Sequence, residues 1–421
     1  HPTRADLIEA DPDVGDVDPR LPPFQGLADV VRDLSGGRGV GRPEDVVVDP
    51  AAEVGPHRSF ADGGAQVFRE LGADDHLDGS DRGLAGAFNS QILREGLELA
   101  ELLRGEGAEV EVVQVNAPYR PAWAEKLKGV RALFRLVPYL LHLWRAAGKA
   151  DLLHVMANSG WSWHLFAAPA IWIGSLRGKP VVVNYRGGEA EPFLNRSADS
   201  VRASMRRAAM LVLPSGFLKE VFDRFGMEGR IVSNIIDLAR FRPADATRKP
   251  AAHIVVARNL EPIYGIDTAL KAFALVAKLR PDARLSVAGT GPQAAELQAL
   301  AASLGIADKV VFTGRLDRDQ MAALYRDSDL TFNPSRVDNM PNSVLEALAS
   351  GVPVVTTNVG GIPFIVEHEV TALLVPADDP QAMADAALRF LNDAALAARI
   401  RAAGQDDVRR YAWSAVKNEL L

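Results

Sequence analysis

From residue 253 onward, short apolar runs alternate with segments whose apolar positions recur at helical spacing. The runs at 253–257, 285–288, 310–313 and 330–333 are short and predominantly apolar. That is the mark of strands covered on both faces. Between them, 267–278, 293–304 and 319–326 carry helical periodicity, and a helix over 343–350 leads into a strand over 353–356. This order predicts βαβ units and a parallel sheet. The preceding region repeats the grammar less cleanly, with a helix over 90–104 and strands over 109–115, 151–155, 180–185, 210–213 and 230–232. GWSWHLFAAPAIWIGSL (160–176) reads as a buried helix, because it is slightly short for a membrane span and carries His164 and Pro169. RPADATRKP (242–250) is polar and Pro-containing, and reads as a linker. The expected fold is therefore α/β: two Rossmann-like domains with parallel sheets facing a central cleft. Ligands in such sheets bind at the carboxyl ends of the strands.

The opening of the chain breaks the pattern. Its first eighty or so residues are rich in Asp, Gly, Arg, Pro and Val, and the first lysine is Lys126. Only 45–49 resembles a strand, and GLAGA (83–87) is at best the remnant of a Gly-rich loop. Residues 1–82 are expected to be either sequence foreign to the rest, such as an out-of-frame stretch, or a disordered extension. The chain starts with His1 and shows no signal-peptide pattern, so a fragment or a processed product is expected. At 421 residues, 48% hydrophobic and 24% charged, the remainder can fill two domains. A net charge of −7 argues against a general nucleic-acid binder. Without cysteine there is no disulfide and no thiolate metal site, and the scattered histidines show no metal-ligand spacing.

The chemistry concentrates in NPSRVDNMPNSVLEALASGVPVVTTNVGG (333–361). Asp338 stands eight positions before Glu346, with a Pro/Asn/Ser turn opening a helix between them. Such a turn leaves N–H groups unpaired at a helix N-terminus, where the dipole favours an anion. The N–H groups of Asn342 and Ser343 are the candidates for a diphosphate, Pro341 fixes the turn, and Asn339 and Met340 fill the loop that would face a sugar. Phosphate flanked by carboxylates that accept from hydroxyls describes a nucleotide sugar.

This stretch resembles the donor-site signature of family-4 (group 1) retaining glycosyltransferases of the GT-B fold. Glu346, Gly351, Pro353, Val354, Val355, Gly360 and Gly361 match it, with Asp338 where the family has its first Glu. The resemblance extends from about residue 83 to the C-terminus. It implies an acceptor-side domain over 83–243, a nucleotide-sugar domain over 244–405 and a helix over 406–421 that crosses back. It implies that Glu346 holds the ribose hydroxyls, Asp338 the transferred sugar, and Arg258, in VVARNLEPIYGID, the diphosphate. Tyr264 stands where the family has a Lys, which removes a cation, and Arg315 is the nearest compensating candidate. Gly289 and Gly291 would allow close approach to the nucleotide. His154, Asn158, Arg186 and Gly187 lie near strand ends on the acceptor side, with Arg186 as the better bet for a phosphate or acceptor contact.

The implied reaction moves a hexose with retention to a glycan or lipid-linked acceptor in surface or exopolysaccharide assembly. It needs no metal and no cofactor, the nucleotide sugar being a co-substrate, and the departing phosphate oxygen acts as base. A catalytically impaired nucleotide-sugar-binding protein and a GT-B nucleotide-sugar 2-epimerase are the alternatives. AEKLKGVRALFRLVPYLLHLWRAAGK (124–149) is basic and amphipathic, and Pro138 would kink or split it. It suits an anionic bilayer surface, hence a cytoplasmic protein peripheral to the plasma membrane.

Overall fold

The computed structural model describes residues 90–113, 115, 131–245 and 251–420. The expectations for 1–82, for the loop at 83–87, for 124–130 and for the second half of the linker lie outside them. Residues 242–245, the linker's first half, form neither helix nor strand.

Two parallel sheets organise these residues. Helices α1 (Ser90–Gly105) and α2 (Arg131–Lys149) come first, followed by β1 (Leu153–Ala157), α3 (Ala168–Leu176), β2 (Val181–Tyr185), α4 (Ala190–Met205), β3 (Met210–Leu213), α5 (Gly216–Arg224) and β4 (Arg230–Ile231). Strands β1 to β4 pair in sequence order. The second sheet is built from β5 (His253–Ala257), α6 (Ile266–Leu279), β6 (Arg284–Ala288), α7 (Ala294–Ser303), β7 (Val310–Gly314), α8 (Arg318–Arg326), β8 (Leu330–Asn333), α9 (Asn342–Ala349), β9 (Val354–Thr357), β10 (Leu373–Val375) and α10 (Pro380–Asn392). Its order is β10-β9-β8-β5-β6-β7. Then α11 (Ala394–Asp407) and α12 (Trp413–Leu420) close the chain. Every residue of β2, β8 and β9 is buried, as the unbroken apolar runs require when helices cover both faces.

Local chemistry fixes several helix starts. Asp317 and Gln320 form a reciprocal capping box on α8, and Ser215, Asp379 and Asp393 accept from the first turns of α5, α10 and α11. Helix α12 returns to α1: Trp413 Nε1 and Lys417 Nζ both donate to Glu106 Oε1, at 2.8 and 3.0 Å.

Three elements differ from expectation. The described part of 109–115 forms no strand. Its Glu111 carboxylate is instead engaged by His142 Nε2 of α2 at 2.9 Å, and β1 pairs only with β2 among the described strands. The 160–176 helix is continuous over 161–176 and carries a π-helical turn (Trp163–Ala167) directly before α3, whose second residue is Pro169. It is buried on one face only; Trp161, Trp172 and Leu176 are exposed. Helix α2 is not split at Pro138, which sits on its exposed side.

Candidate functional site

The second sheet reverses its winding between β5 and β8. An open parallel sheet leaves a crevice beyond the strand ends at such a switch point. Arg258 follows β5 and Asp338 lies in the loop after β8, so the two meet across the reversal. Arg258 Nη2 donates to Asp338 Oδ2 at 2.5 Å, with side chains only 8% and 10% exposed. Ser335 Oγ donates to the same oxygen at 3.1 Å, and the Asn339 N–H to Oδ1 at 3.1 Å. Burial pushes the Asp338 carboxyl up from its ordinary value, while Arg258, Ser335 and the Asn339 N–H pull it back. A guanidinium at this distance and two further donors suit the carboxylate form.

The Arg258 guanidinium also lies 4.1 Å from the centre of the Tyr264 ring. Burial raises the Tyr264 phenol, against the pull of Arg258. The turn carrying Tyr264 is held by Arg336, whose N–H donates to the Ile263 carbonyl at 2.8 Å and whose guanidinium reaches Asp267 and Asp378 at 2.8 and 2.7 Å. Gly289 and Gly291 close against the Arg258 and Leu260 carbonyls, binding the β6 loop to the β5 loop. Arg315, beyond β7, is exposed.

The expected turn opens α9, with the helix starting one residue earlier, at Asn342. Pro341 is its N-cap, and its carbonyl accepts from the Val344 N–H at 3.1 Å. No hydrogen bond from the Asn342 or Ser343 N–H is present among the described residues. The buried Ser343 hydroxyl has no partner there either. Glu346 is half-buried one turn further along the helix. The loop is locked from beneath by the Gly360–Gly361 turn: the Gly361 N–H donates to the Asp338 carbonyl at 2.8 Å, and a Cβ at Gly361 would collide with the Asn339 carbonyl.

Groups from α1 and from the loop after β2 meet this turn. Asn339 Nδ2 donates to the Gly187 carbonyl, and Asn342 Nδ2 to Glu95 Oε1, both at 2.8 Å. Glu95 Oε2 lies 3.7 Å from Arg186 Nη1. Arg186 Nε donates to Asn184 Oδ1 at 2.7 Å, and Asn184 Nδ2 lies 3.1 Å from His154 Nε2. A Cβ at Gly187 would press on the ends of the Ser159, Asn158 and Tyr185 side chains, which would have to shift. Asn158 Oδ1 accepts from the Ser159 N–H at 2.7 Å.

Several sequence-predicted residues thus come together: Arg258, Asp338, Tyr264, Asn339, Met340, Pro341, Asn342, Ser343, Arg186 and Gly187. Others take different places. His154 lies inside β1 and not beyond it. Burial, aided by the Arg186 charge, lowers its pKa to about 4, so it is a neutral acceptor for Asn184. Arg315 makes no described contact with the site. Met340 is buried, its carbonyl held by Asn234 Nδ2 at 3.0 Å. Sequence reasoning missed Glu95, Ser335 and the bridging role of Asn234, which also donates to Asn342 Oδ1 at 2.7 Å. A Glu on an amphipathic helix carries no signal of a partner 247 positions away. Among the described residues, no three His, Asp or Glu side chains gather as a metal site.

Two Rossmann-like sheets with loops meeting at a switch point define the GT-B class. Solved structures agree in fold. Anabaena HepE in complex with UDP aligns with a TM-score of 0.59 at 18% identity, covering 77% of this chain and 88% of that one. Sucrose-phosphate synthase from Thermosynechococcus elongatus aligns with a TM-score of 0.58 at 23% identity, covering 72% and 78%. Residues 97–240 match the profile of Glycosyltransferase Family 4, and residues 239–407 that of Glycosyl transferases group 1. The chain belongs to this glycosyltransferase family. A D-inositol 3-phosphate glycosyltransferase of Salinispora tropica is 28% identical over 80% of each chain. A GDP-mannose-dependent alpha-(1-6)-phosphatidylinositol monomannoside mannosyltransferase of Mycobacterium tuberculosis is 32% identical over 44% of this chain and 52% of its own. Several further relatives are matched over only about half their length.

Proposed function

We propose that this protein transfers a hexose, with retention of configuration, from a nucleoside diphosphate sugar to a glycan or lipid-linked acceptor in cell-surface polysaccharide assembly. The observation that carries the reading is the Arg258–Asp338 pair at the switch point, beside the open N-terminus of α9. The N–H groups of Asn342 and Ser343 receive the β-phosphate. Glu346 holds the ribose, and Asp338 the transferred hexose. Residues 244–405 form the donor side, 83–243 the acceptor side, and 406–421 tie the two.

In the reaction, the sugar C1–O bond breaks and its electron pair passes to the departing phosphate oxygen. The acceptor hydroxyl forms the new bond on the same face and gives its proton to that oxygen. Arg258 and the α9 terminus stabilise the charge that develops there, so the reaction proceeds without metal. The relatives that act on inositol phosphate and phosphatidylinositol mannoside support a polar, phosphate- or lipid-bearing acceptor.

We further propose that the protein works at the cytoplasmic face of the membrane. Helix α2 buries Tyr139, Leu143 and Ala147 and exposes Val137, Leu141 and Trp144 beside exposed Arg145 and Lys149. No helix among the described residues is long and apolar enough to cross a bilayer. Calorimetric titration with UDP, GDP, ADP and their hexose conjugates tests the donor site. Saturable binding of one nucleotide, tighter with one sugar, is the expected result, and NMR of the product anomer then tests retention. Failure of all the nucleotides to bind contradicts the reading.

A further inference from the structure

We propose that Arg186, from the first sheet, supplies the second cation at the leaving diphosphate, replacing the charge that is missing at Tyr264, and that Glu95 holds it in place until the donor arrives. The inference rests on the donor-site reading above and names a residue role within it.

One further negative charge develops on a diphosphate that is already anionic as it leaves, and a fixed cation in a water-poor site offsets it far better than solvent does. On the second sheet, Arg258 is already paired with Asp338, and Tyr264 is a phenol. Arg315 is exposed and makes no described contact with the site.

Arg186 is different. Its side chain is only 11% exposed, and its buried Nη1 has no hydrogen-bond partner among the described residues. The acid facing it, Glu95, stands at 3.7 Å, beyond hydrogen-bonding reach. Burying a cation that is incompletely paired is costly unless another anion completes it. Its position is also defined. Nε is anchored to Asn184, which leaves the far end of the fork for a ligand.

Glu95 then shows where the ligand sits. One carboxylate oxygen faces Arg186, and the other accepts from the Asn342 side chain on the first residue of α9. A carboxylate thus bridges a buried cation and a helix N-terminus, the place where an anion is favoured. The β-phosphate carries more charge and more acceptor oxygens than a carboxylate. It takes over Arg186 as a fork-bound partner, and Glu95 yields.

The experiment compares UMP with UDP, and GMP with GDP, by calorimetry on the full chain. The ratio of diphosphate to monophosphate affinity isolates the β-phosphate. Arg186→Met is expected to lower that ratio about tenfold or more, since a hydrogen-bonded charge is lost. Glu95→Gln, which frees Arg186, is expected to raise it. Adding Tyr264→Lys to Arg186→Met restores a cation and is expected to recover the ratio. A ratio unchanged by Arg186→Met, in a protein that unfolds at the wild-type temperature, overturns the assignment. Should that variant fail to fold, Arg186→Lys keeps the charge but loses the fork. An intermediate ratio then supports the assignment and an unchanged one overturns it. Wild-type binding to no nucleotide overturns the donor-site reading itself, and the assignment with it.

Discussion

Arg258 and Asp338, eighty positions apart, form a hydrogen-bonded ion pair of 2.5 Å at the one point where the second sheet reverses its winding. The loop after β5 and the loop after β8 are thereby joined, and the Tyr264 ring backs the guanidinium. The pair ties the two loops together at the switch point and, in the proposed reaction, keeps a cation beside the diphosphate.

Asp338→Asn leaves Arg258 buried without its counter-charge, a change that typically costs about 3–5 kcal/mol. Unfolding free energy measured in urea should fall by an amount near the lower figure. Transfer should be abolished, while calorimetric binding of the nucleotide persists or tightens because Arg258 is released. Glu346→Ala should do the reverse, weakening nucleotide binding with little loss of stability. Equal effects of the two variants would contradict the separate roles assigned to them.

Gly361→Ala forces a Cβ into the Asn339 carbonyl beneath the donor loop. The backbone there must move, and it carries the Gly361 N–H bond to Asp338. A loss of about 2 kcal/mol or more is expected, with the donor KM raised. A urea midpoint equal to that of wild type would show that the turn is less constrained than its contacts indicate.

His154 imposes a pH dependence. Its folded pKa is about 4 against an ordinary value of 6.5. The unfolded chain therefore takes up a proton that the folded chain refuses as pH falls between these values. The stability is fully present above about pH 6.5 and is lost on acidification towards pH 4, by at most about 3 kcal/mol. Unfolding free energies at pH 7 and pH 5 should differ less in His154→Gln than in wild type. An equal difference would place the acid sensitivity elsewhere.

Leu141 and Trp144 stand exposed on α2, with the Arg177 guanidinium 4.9 Å from the Trp144 ring centre. Replacing both with Asp removes apolar area and adds negative charge. Co-sedimentation with vesicles containing anionic phosphatidylglycerol at low salt should drop several-fold, with the fold intact by circular dichroism. Wild-type protein that stays in the supernatant would remove the case for membrane contact.

Much of the second sheet could be read directly. The runs at 253–257 and 330–333 became strands with those bounds, each a short segment set between stretches of helical periodicity or turn residues. The first sheet was less legible. The Glu111-bearing segment reads as a strand, but its described residues form none, since strand pairing is decided by a neighbour and not by propensity. Pro138 reads as a kink or split in α2, and the helix is not split there; the proline sits on its exposed side.

The sequence by itself determined the βαβ order, the turn that opens α9, and the presence of Asp338, Glu346, Arg258 and Tyr264 near strand ends. These follow from periodicity and short-range backbone rules, which act within a few residues. Only the tertiary structure decided that Arg258 pairs with Asp338, that His154 is a neutral strand residue, and that Glu95 links Arg186 to Asn342. Those relationships join residues from 30 to 247 positions apart, and are fixed by how strands, helices and loops meet in the folded chain. No local pattern encodes that meeting, because its energy comes from burial and charge shared between elements that are strangers in sequence.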